Sequence, residues 1–328
     1  MFNVSKEPEN EPKAVAERVE GEELFAAAQR IVPQTGNRRD LAARFLAGAR
    51  ASGLDLSHAF AVLDRSGSAR APTARQACFA VPGPGRTAML FLSGPSNANR
   101  ETGVADAERD ACVRGAIASV ATAGVRLVQA LPDPAEEWAC SCFERVGLRS
   151  VGDLAYLSRH LGGVRPESRP HTPEGLRLRD CGNLRAGSDD RSRLCDLLTR
   201  TYKDTLDCPE LCGMRDVDDI VESHLAAGAF DARHWLIASD GSRDVGCCLV
   251  SLNDDGATAE LVYIGLDPCA RGKGIARWLL QTSMWGLRTT AAQQMVCAVD
   301  KRNTPAAKLY ADLGFREFAQ RRALVKQV

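Results

Sequence analysis

The sequence predicts an α/β chain built as two similar lobes. Three observations carry that expectation. Its 328 residues suit two domains of roughly 100–200 residues each. Strand-length apolar runs alternate with helix-length segments, and the alternation restarts after a stretch dense in Gly and Pro at residues 161–173. The halves also correspond at an offset of 167, measured between the glycines that stop the last helix of each, Gly147 and Gly314.

The elements follow in order. Residues 1–34 are set apart as an N-terminal extension. Met1 to Pro12 is polar and acidic with no apolar stretch, which argues against a secretory signal. Residues 1–20 are expected to fray. A helical period starts near Glu22 and carries Leu24, Phe25, Ala28 and Ile31 on one face, until Pro33 breaks it. The first lobe is assigned to residues 35–160. It opens with a helix over 39–52, stopped by Gly53. Short apolar runs at 58–63, 77–81 and 88–92 read as meander strands. A helix over 105–123, a strand over 125–131, a helix over 134–146 and a strand over 153–159 complete it. Residues 161–173 form the linker. The second lobe, residues 174–328, repeats the order. It has a strand (176–179), helices over 188–202 (Ser188 as N-cap) and 216–227, and strands at 235–239, 246–252 and 260–266. A helix (274–289), a strand (294–299), a helix (304–313) and a last strand (318–325) follow.

Charge and cysteine content narrow the function. Lys and Arg total 42, as do Asp and Glu, so the net charge is zero. A nucleic-acid or anionic-membrane partner needs a basic face, which neutrality disfavours. An RNA-binding reading would return only if Arg159, Arg165, Arg169, Arg177 and Arg179 formed one patch. No apolar run reaches the ~18 residues that span a bilayer, so a cytoplasmic protein without a membrane partner is expected. The twelve cysteines are scattered. Cys140-x-Cys142 and Cys208-x3-Cys212 lack a second pair at zinc-site spacing, so no metal is expected.

The chemistry concentrates in Glu260 to Ala276. This segment reads as a strand, a turn after Asp267-Pro268, a glycine-rich loop and a helix start. The loop and helix N-terminus present free backbone N–H groups and a partial positive charge, an anion site suited to a diphosphate. Gly272 and Gly274 allow close approach of the backbone. The pattern is neither a Walker loop nor Gly-x-Gly-x-x-Gly.

Arg271-x-x-Gly274-x-Ala276, following Leu266-Asp267-Pro268, resembles the acyl-CoA signature of the GCN5-related N-acetyltransferases (GNAT). Asn303 to Phe315 resembles that family's second motif, and the resemblance covers about residues 235–320. It implies lobes with a mixed, mostly antiparallel sheet, helices on both faces and a central parallel pair that splays apart. It also implies acetyl-CoA as co-substrate. Carried onto this chain, the backbone of Ile264, Gly265 and Leu266 would meet the pantetheine and acetyl carbonyl, with an oxyanion donor near Leu266. Arg271, Gly272, Lys273, Gly274, Ile275 and Ala276 would cradle the pyrophosphate. Asn303 would bond the pantetheine arm. Tyr310 is the candidate general acid, or else a core aromatic of its helix. Glu260 is the candidate base, or else a solvent-facing strand-end residue. The segment Asp207-Cys208-Pro209-Glu210-Leu211, with Tyr202 and Thr205, is either an acceptor wall or a turn pinned by Pro209.

The first lobe departs from the pattern. At the offset of 167, Glu136 falls on Asn303 and Phe143 on Tyr310, and Ser93 to Gly103 holds no Arg-x-x-Gly-x-Ala. It is expected to be a degenerate lobe that is structural or shapes the acceptor site, as in a tandem-lobe member of the family. The expected activity is N-acetylation of a primary amine on a small molecule or peptide, by direct attack in a ternary complex. A CoA-binding regulatory protein without turnover is the alternative.

Overall fold

The computed structural model describes residues 14–34, 36–65, 72–95, 103–162, 168–241 and 243–328. Met1 to Pro12, most of the Ser93–Gly103 loop, Arg165 and the middle of the linker lie outside the described residues. The first half runs β1 (Glu17–Arg18), α1 (Gly21–Ile31), α2 (Arg38–Ala51), β2 (Ala59–Asp64), β3 (Thr73–Gly83), β4 (Thr87–Leu92), α3 (Gly103–Thr122), β5 (Leu127–Ala130), α4 (Glu137–Arg145) and β6 (Arg149–His160). The second runs β7 (Leu176–Asp180), α5 (Asp189–Thr201), α6 (Val217–Leu225), β8 (Trp235–Asp240), β9 (Arg243–Leu252), β10 (Thr258–Leu266), α7 (Ile275–Gly286), β11 (Gln294–Asp300), α8 (Thr304–Asp312) and β12 (Arg316–Gln327). The order of strands and helices is the same twice. The pairs α4/α8 and β6/β12 keep the 167-residue offset at both of their ends.

The strands form one 12-stranded sheet in the order β1-β2-β3-β4-β5-β12-β6-β11-β10-β9-β8-β7. Among the described strands, only β4–β5 and β10–β11 are parallel. The halves exchange their last strands. β12 ends the second half but pairs with β5 of the first. β6 ends the first half but pairs with β11 of the second. The two exchanged strands then pair with each other from Arg316↔Ser158 to Val325↔Arg149, so neither half completes its sheet alone.

Helices cover both faces. In the second half, α7 places Trp278, Leu279 and Leu280 against Val250, Leu261 and Met295. On the other face α5 places Leu194, Leu197 and Leu198 against Trp235, Ile237 and Leu249. Each side chain of this size, fully buried, contributes roughly 1.5–3 kcal/mol. The first half is built alike, with α3 and α4 on one face and α1 and α2 on the other. The expectation that residues 1–20 fray does not hold from residue 17 on. Glu17 and Arg18 pair with Ala61 and Phe60, and Val19, Ala27 and Ala28 are buried with Phe79.

Candidate active site

β10 and β11 pair over only three positions, Thr258↔Gln294, Ala259↔Met295 and Glu260↔Val296. Beyond Glu260 both strands continue and diverge. On its other edge β10 carries a bulge: Leu261 faces Val250 and Tyr263 faces Leu249, leaving Val262 unmatched. The bulge puts consecutive residues Val262 and Tyr263 into the α5/α6 core, while Ile264 and Leu266 pack on the α7 side. Ile264, Gly265 and Leu266 pair with Cys248, Cys247 and Gly246 of β9. Their opposite edge faces the gap, and among the described residues no strand pairs with it, so backbone N–H groups on that edge are available to a ligand.

Glu260 and Tyr310 stand on opposite faces of the sheet at this gap. Ala259 and Leu261 pack in the α7 core, so Glu260 between them points to the other face. Glu260 is half-buried and has no ion-pair partner among the described residues. Burial alone pushes its carboxyl above the usual glutamate range. Tyr310, on α8, is 4% exposed and packs with Cys297, Val299 and Phe315 on the α7/α8 face. Burial holds its phenol well above the usual range, so it keeps its proton.

The loop after β10 forms an anion cradle. Asp267 accepts a hydrogen bond from the Cys269 N–H (3.2 Å) and ion-pairs with Arg200 (3.0 Å) and Arg243 (2.7 Å). Gly272 (φ +75°) and Gly274 (φ +77°) take left-handed backbone, and nothing lies within 4 Å of the place where a Cβ would be on either. Gly274 is the N-cap of α7, and no side chain caps that helix. Its first N–H groups are therefore left for a ligand. Ile275 sends its side chain into the core and Lys273 is exposed. The Arg271 side chain is committed elsewhere. Its guanidinium donates to the carbonyls of Leu266 (3.2 Å), Thr201 (2.9 Å), Lys203 (2.7 Å) and Asp204 (2.9 Å). It fastens the cradle to the C-terminal end of α5, and the cradle itself is backbone.

Asn303 caps α8 by accepting the Ala306 N–H at 3.3 Å, and it bonds the Asp207 carboxyl as well. Asp207 also accepts the Asp300 N–H (2.7 Å), while Asp300 accepts the Cys208 N–H (3.0 Å). Burial, more than any neighbour, raises the Asp207 carboxyl. Arg302 reaches Glu210 at 2.6 Å. Residues 207–211 are thus locked over the end of β11, beside the gap. Cys208, in left-handed backbone (φ 44°), is buried with Leu211 and Met214 against Val151, Leu154 and Ala323 of the exchanged strands.

Three residues of this region escaped the sequence reading. Tyr263 donates to or accepts from Thr201 (2.8 Å), stacks on His224 (5.5 Å between ring centres) and tilts against Tyr202 (5.4 Å). A Cβ on Gly265 would sit 2.5 Å from the Tyr263 hydroxyl, so glycine there leaves room for the ring. His224 is pushed down to about 4, first by burial and then by Arg215. Tyr156 lies on β6, on the same face as Glu260: Glu260 neighbours Val296, Val296 neighbours Ser158, and Tyr156 is two residues further. Tyr263 had a signal, a polar aromatic in an aliphatic strand. Tyr156 had none, because nothing in the sequence marks a strand exchange.

Among the described residues no cluster of His, Cys, Asp or Glu could hold a metal, and no helix is long and apolar enough to cross a membrane. The cysteines are unpaired. Of the arginines considered for RNA, Arg179 pairs with Asp244 (2.8 Å), and Arg169 lies 5.9 Å from the centre of the Trp285 ring.

A long twisted sheet whose parallel pair splays beside a glycine cradle is the arrangement the acyl-CoA signature implied. Residues 231–317 match the family model described as an acetyltransferase (GNAT) domain. The chain is similar to mycothiol acetyltransferases. It is 31% identical to that of Actinosynnema mirum over 55% of this chain and 57% of the relative. It is 29% identical to that of Geodermatophilus obscurus over 54% and 56%. The alignments span little more than half the length of these curated relatives. Among solved structures, a GCN5-related N-acetyltransferase from Sphaerobacter thermophilus superposes with a TM-score of 0.58 at 19% identity, over 93% of this chain and 90% of that one. A tandem GNAT protein from the clavulanic acid biosynthesis pathway superposes with a TM-score of 0.51 at 14% identity, over 93% of each. Both share the fold.

Proposed function

We propose that the second lobe transfers the acetyl group of acetyl-CoA to a primary amine of a small molecule or peptide, by direct attack in a ternary complex. The observation that carries this reading is the placement of an unpaired, desolvated carboxylate and a protonated phenol on opposite faces of one strand gap, at the end of a backbone anion cradle. The name shared by the curated relatives, mycothiol acetyltransferase, supports acetyl transfer.

The residues fit such a co-substrate. The uncapped N-terminus of α7, with Gly272, Gly274, Ile275 and Ala276, offers N–H groups to a pyrophosphate, and the space above both glycines is open. Bound acetyl-CoA supplies an activated thioester carbonyl. The free edge of Ile264, Gly265 and Leu266 orients it and offers N–H groups to the carbonyl oxygen. Glu260 takes the proton of the attacking amine, and its raised affinity for protons brings it closer to the range of an effective base. Tyr310 gives its proton to the departing thiolate, which leaves as the CoA thiol. Arg271 positions the cradle, and Asn303 fixes the start of α8 and with it Tyr310.

A regulatory CoA-binding protein would need the cradle but no acid and base facing one gap. Thiol release from acetyl-CoA across a panel of amines tests the choice. We expect turnover of at least one amine, and a kcat roughly 10²- to 10⁴-fold lower in Glu260→Gln. Tight acetyl-CoA binding with no thiol release from any amine would instead favour the regulatory reading.

A further inference from the structure

The first half has its own gap. β4 and β5 pair only from Thr87↔Leu127 to Met89↔Gln129, and beyond them lies a cavity of about 580 Å³. Phe91, Trp138, Phe143, Tyr156 and Phe318 all line it. That is a concentration of rings in a chain only 5% aromatic. Phe91 and Phe318 are 47% and 60% exposed, and large apolar surface left at the mouth of a cavity marks a place where something binds.

Two of the five rings arrive through the strand exchange. Phe318 is the extra residue at a bulge where β12 pairs with β6, and it meets Tyr156 edge-on at 6.3 Å. Tyr156 shares its sheet face with Glu260 of the other half. Two strand spacings and two residue rises put their Cα atoms about 12 Å apart. The cavity wall and the proposed base therefore lie on the same face of the sheet. The cavity is ill suited to a second CoA. The sequence before α3 has no glycine signature, and Glu136, which lines the cavity where the second lobe has Asn303, would repel phosphate.

We propose that this cavity binds the apolar body, aryl or alkyl, of the amine acceptor, whose nitrogen reaches along the shared face to Glu260. The proposal rests on Glu260 serving as the base of the second lobe. It gives the degenerate lobe a task, selecting the acceptor, and it gives the exchanged strands one too, joining the selecting cavity to the reacting gap.

The test uses the full chain and a matched pair of probes, 4-phenylbutylamine and 4-amino-1-butanol. By isothermal titration calorimetry, 4-phenylbutylamine should bind at least roughly tenfold more tightly, as burial of a phenyl ring requires. Phe318→Asp and Phe91→Asp, both at exposed positions, should weaken it by about tenfold and leave the titration with acetyl-CoA unchanged. Equal affinity of the two amines, or no change in either variant, would overturn the proposal. Thiol release separates it from the reading on which it rests. A Phe318-dependent KM for 4-phenylbutylamine supports both. Equal kcat/KM for the two amines overturns the cavity proposal alone. Absence of thiol release from every amine overturns the acetyltransferase reading, and the calorimetry then still decides whether the cavity takes an apolar amine.

Discussion

Burial raises the pKa of both Glu260 and Tyr310; it acts alone on Glu260 and is the largest of several causes for Tyr310. For Glu260 the active form is the carboxylate. Activity should fall as pH drops through its raised pKa, so the acid limb of kcat lies above the ordinary glutamate value of 4.5 and should disappear in Glu260→Gln. Tyr310→Phe should lower kcat by about 10²-fold and leave acetyl-CoA affinity within twofold, read by steady-state kinetics and calorimetry. His224 supplies a stability prediction. Its pKa falls from 6.5 to about 4 on folding. Across that window the unfolded chain binds a proton that the folded chain does not, so stability declines as pH falls from 6.5 toward 4, by on the order of 3 kcal/mol. Urea melts at pH 7 and 4.5 should show that His224→Phe loses less stability over the same interval. At this scale the sequence revealed residues through motifs. Glu260, Asn303 and Tyr310 stood in recognisable spacing, whereas His224 and Tyr156 act through neighbours that only folding supplies. The sequence reading places Arg271 in the cradle, whereas its guanidinium is spent on four carbonyls, which only folding brings together.

Most helices and strands were legible as elements, because helix caps and apolar periods are local. Asn37 and Ser188 accept the first N–H groups of α2 and α5, and Gly147 and Gly314 take left-handed backbone just past α4 and α8. The partners of β6 and β12 were not legible, since a strand's alternation specifies its faces and says nothing of its edges. That exchange makes a prediction. Leu324 is fully buried where β12 pairs with Ala130 of β5. Leu324→Ala should cost roughly 2–5 kcal/mol. Hydrogen exchange should then quicken in β11 of the second half as well as in β5 of the first. Faster exchange confined to β5 would mean that the exchanged strands do not couple the halves.

On the scale of the molecule, one pattern of strands and helices occurs twice. Each half has a splayed parallel pair, a helix starting beyond it and a second helix closing it. The second half joins its gap to an uncapped helix N-terminus after paired glycines, with a carboxylate on one face and a phenol on the other. The repeat of the element order was visible in the sequence, and so was the replacement of Asn303 and Tyr310 by Glu136 and Phe143 at the same offset. If acyl transfer belongs to the second gap alone, calorimetry should count a single acetyl-CoA site. One site per chain, lost in Gly274→Asp, is the expected result. Two sites, or binding untouched by Gly274→Asp, would contradict it.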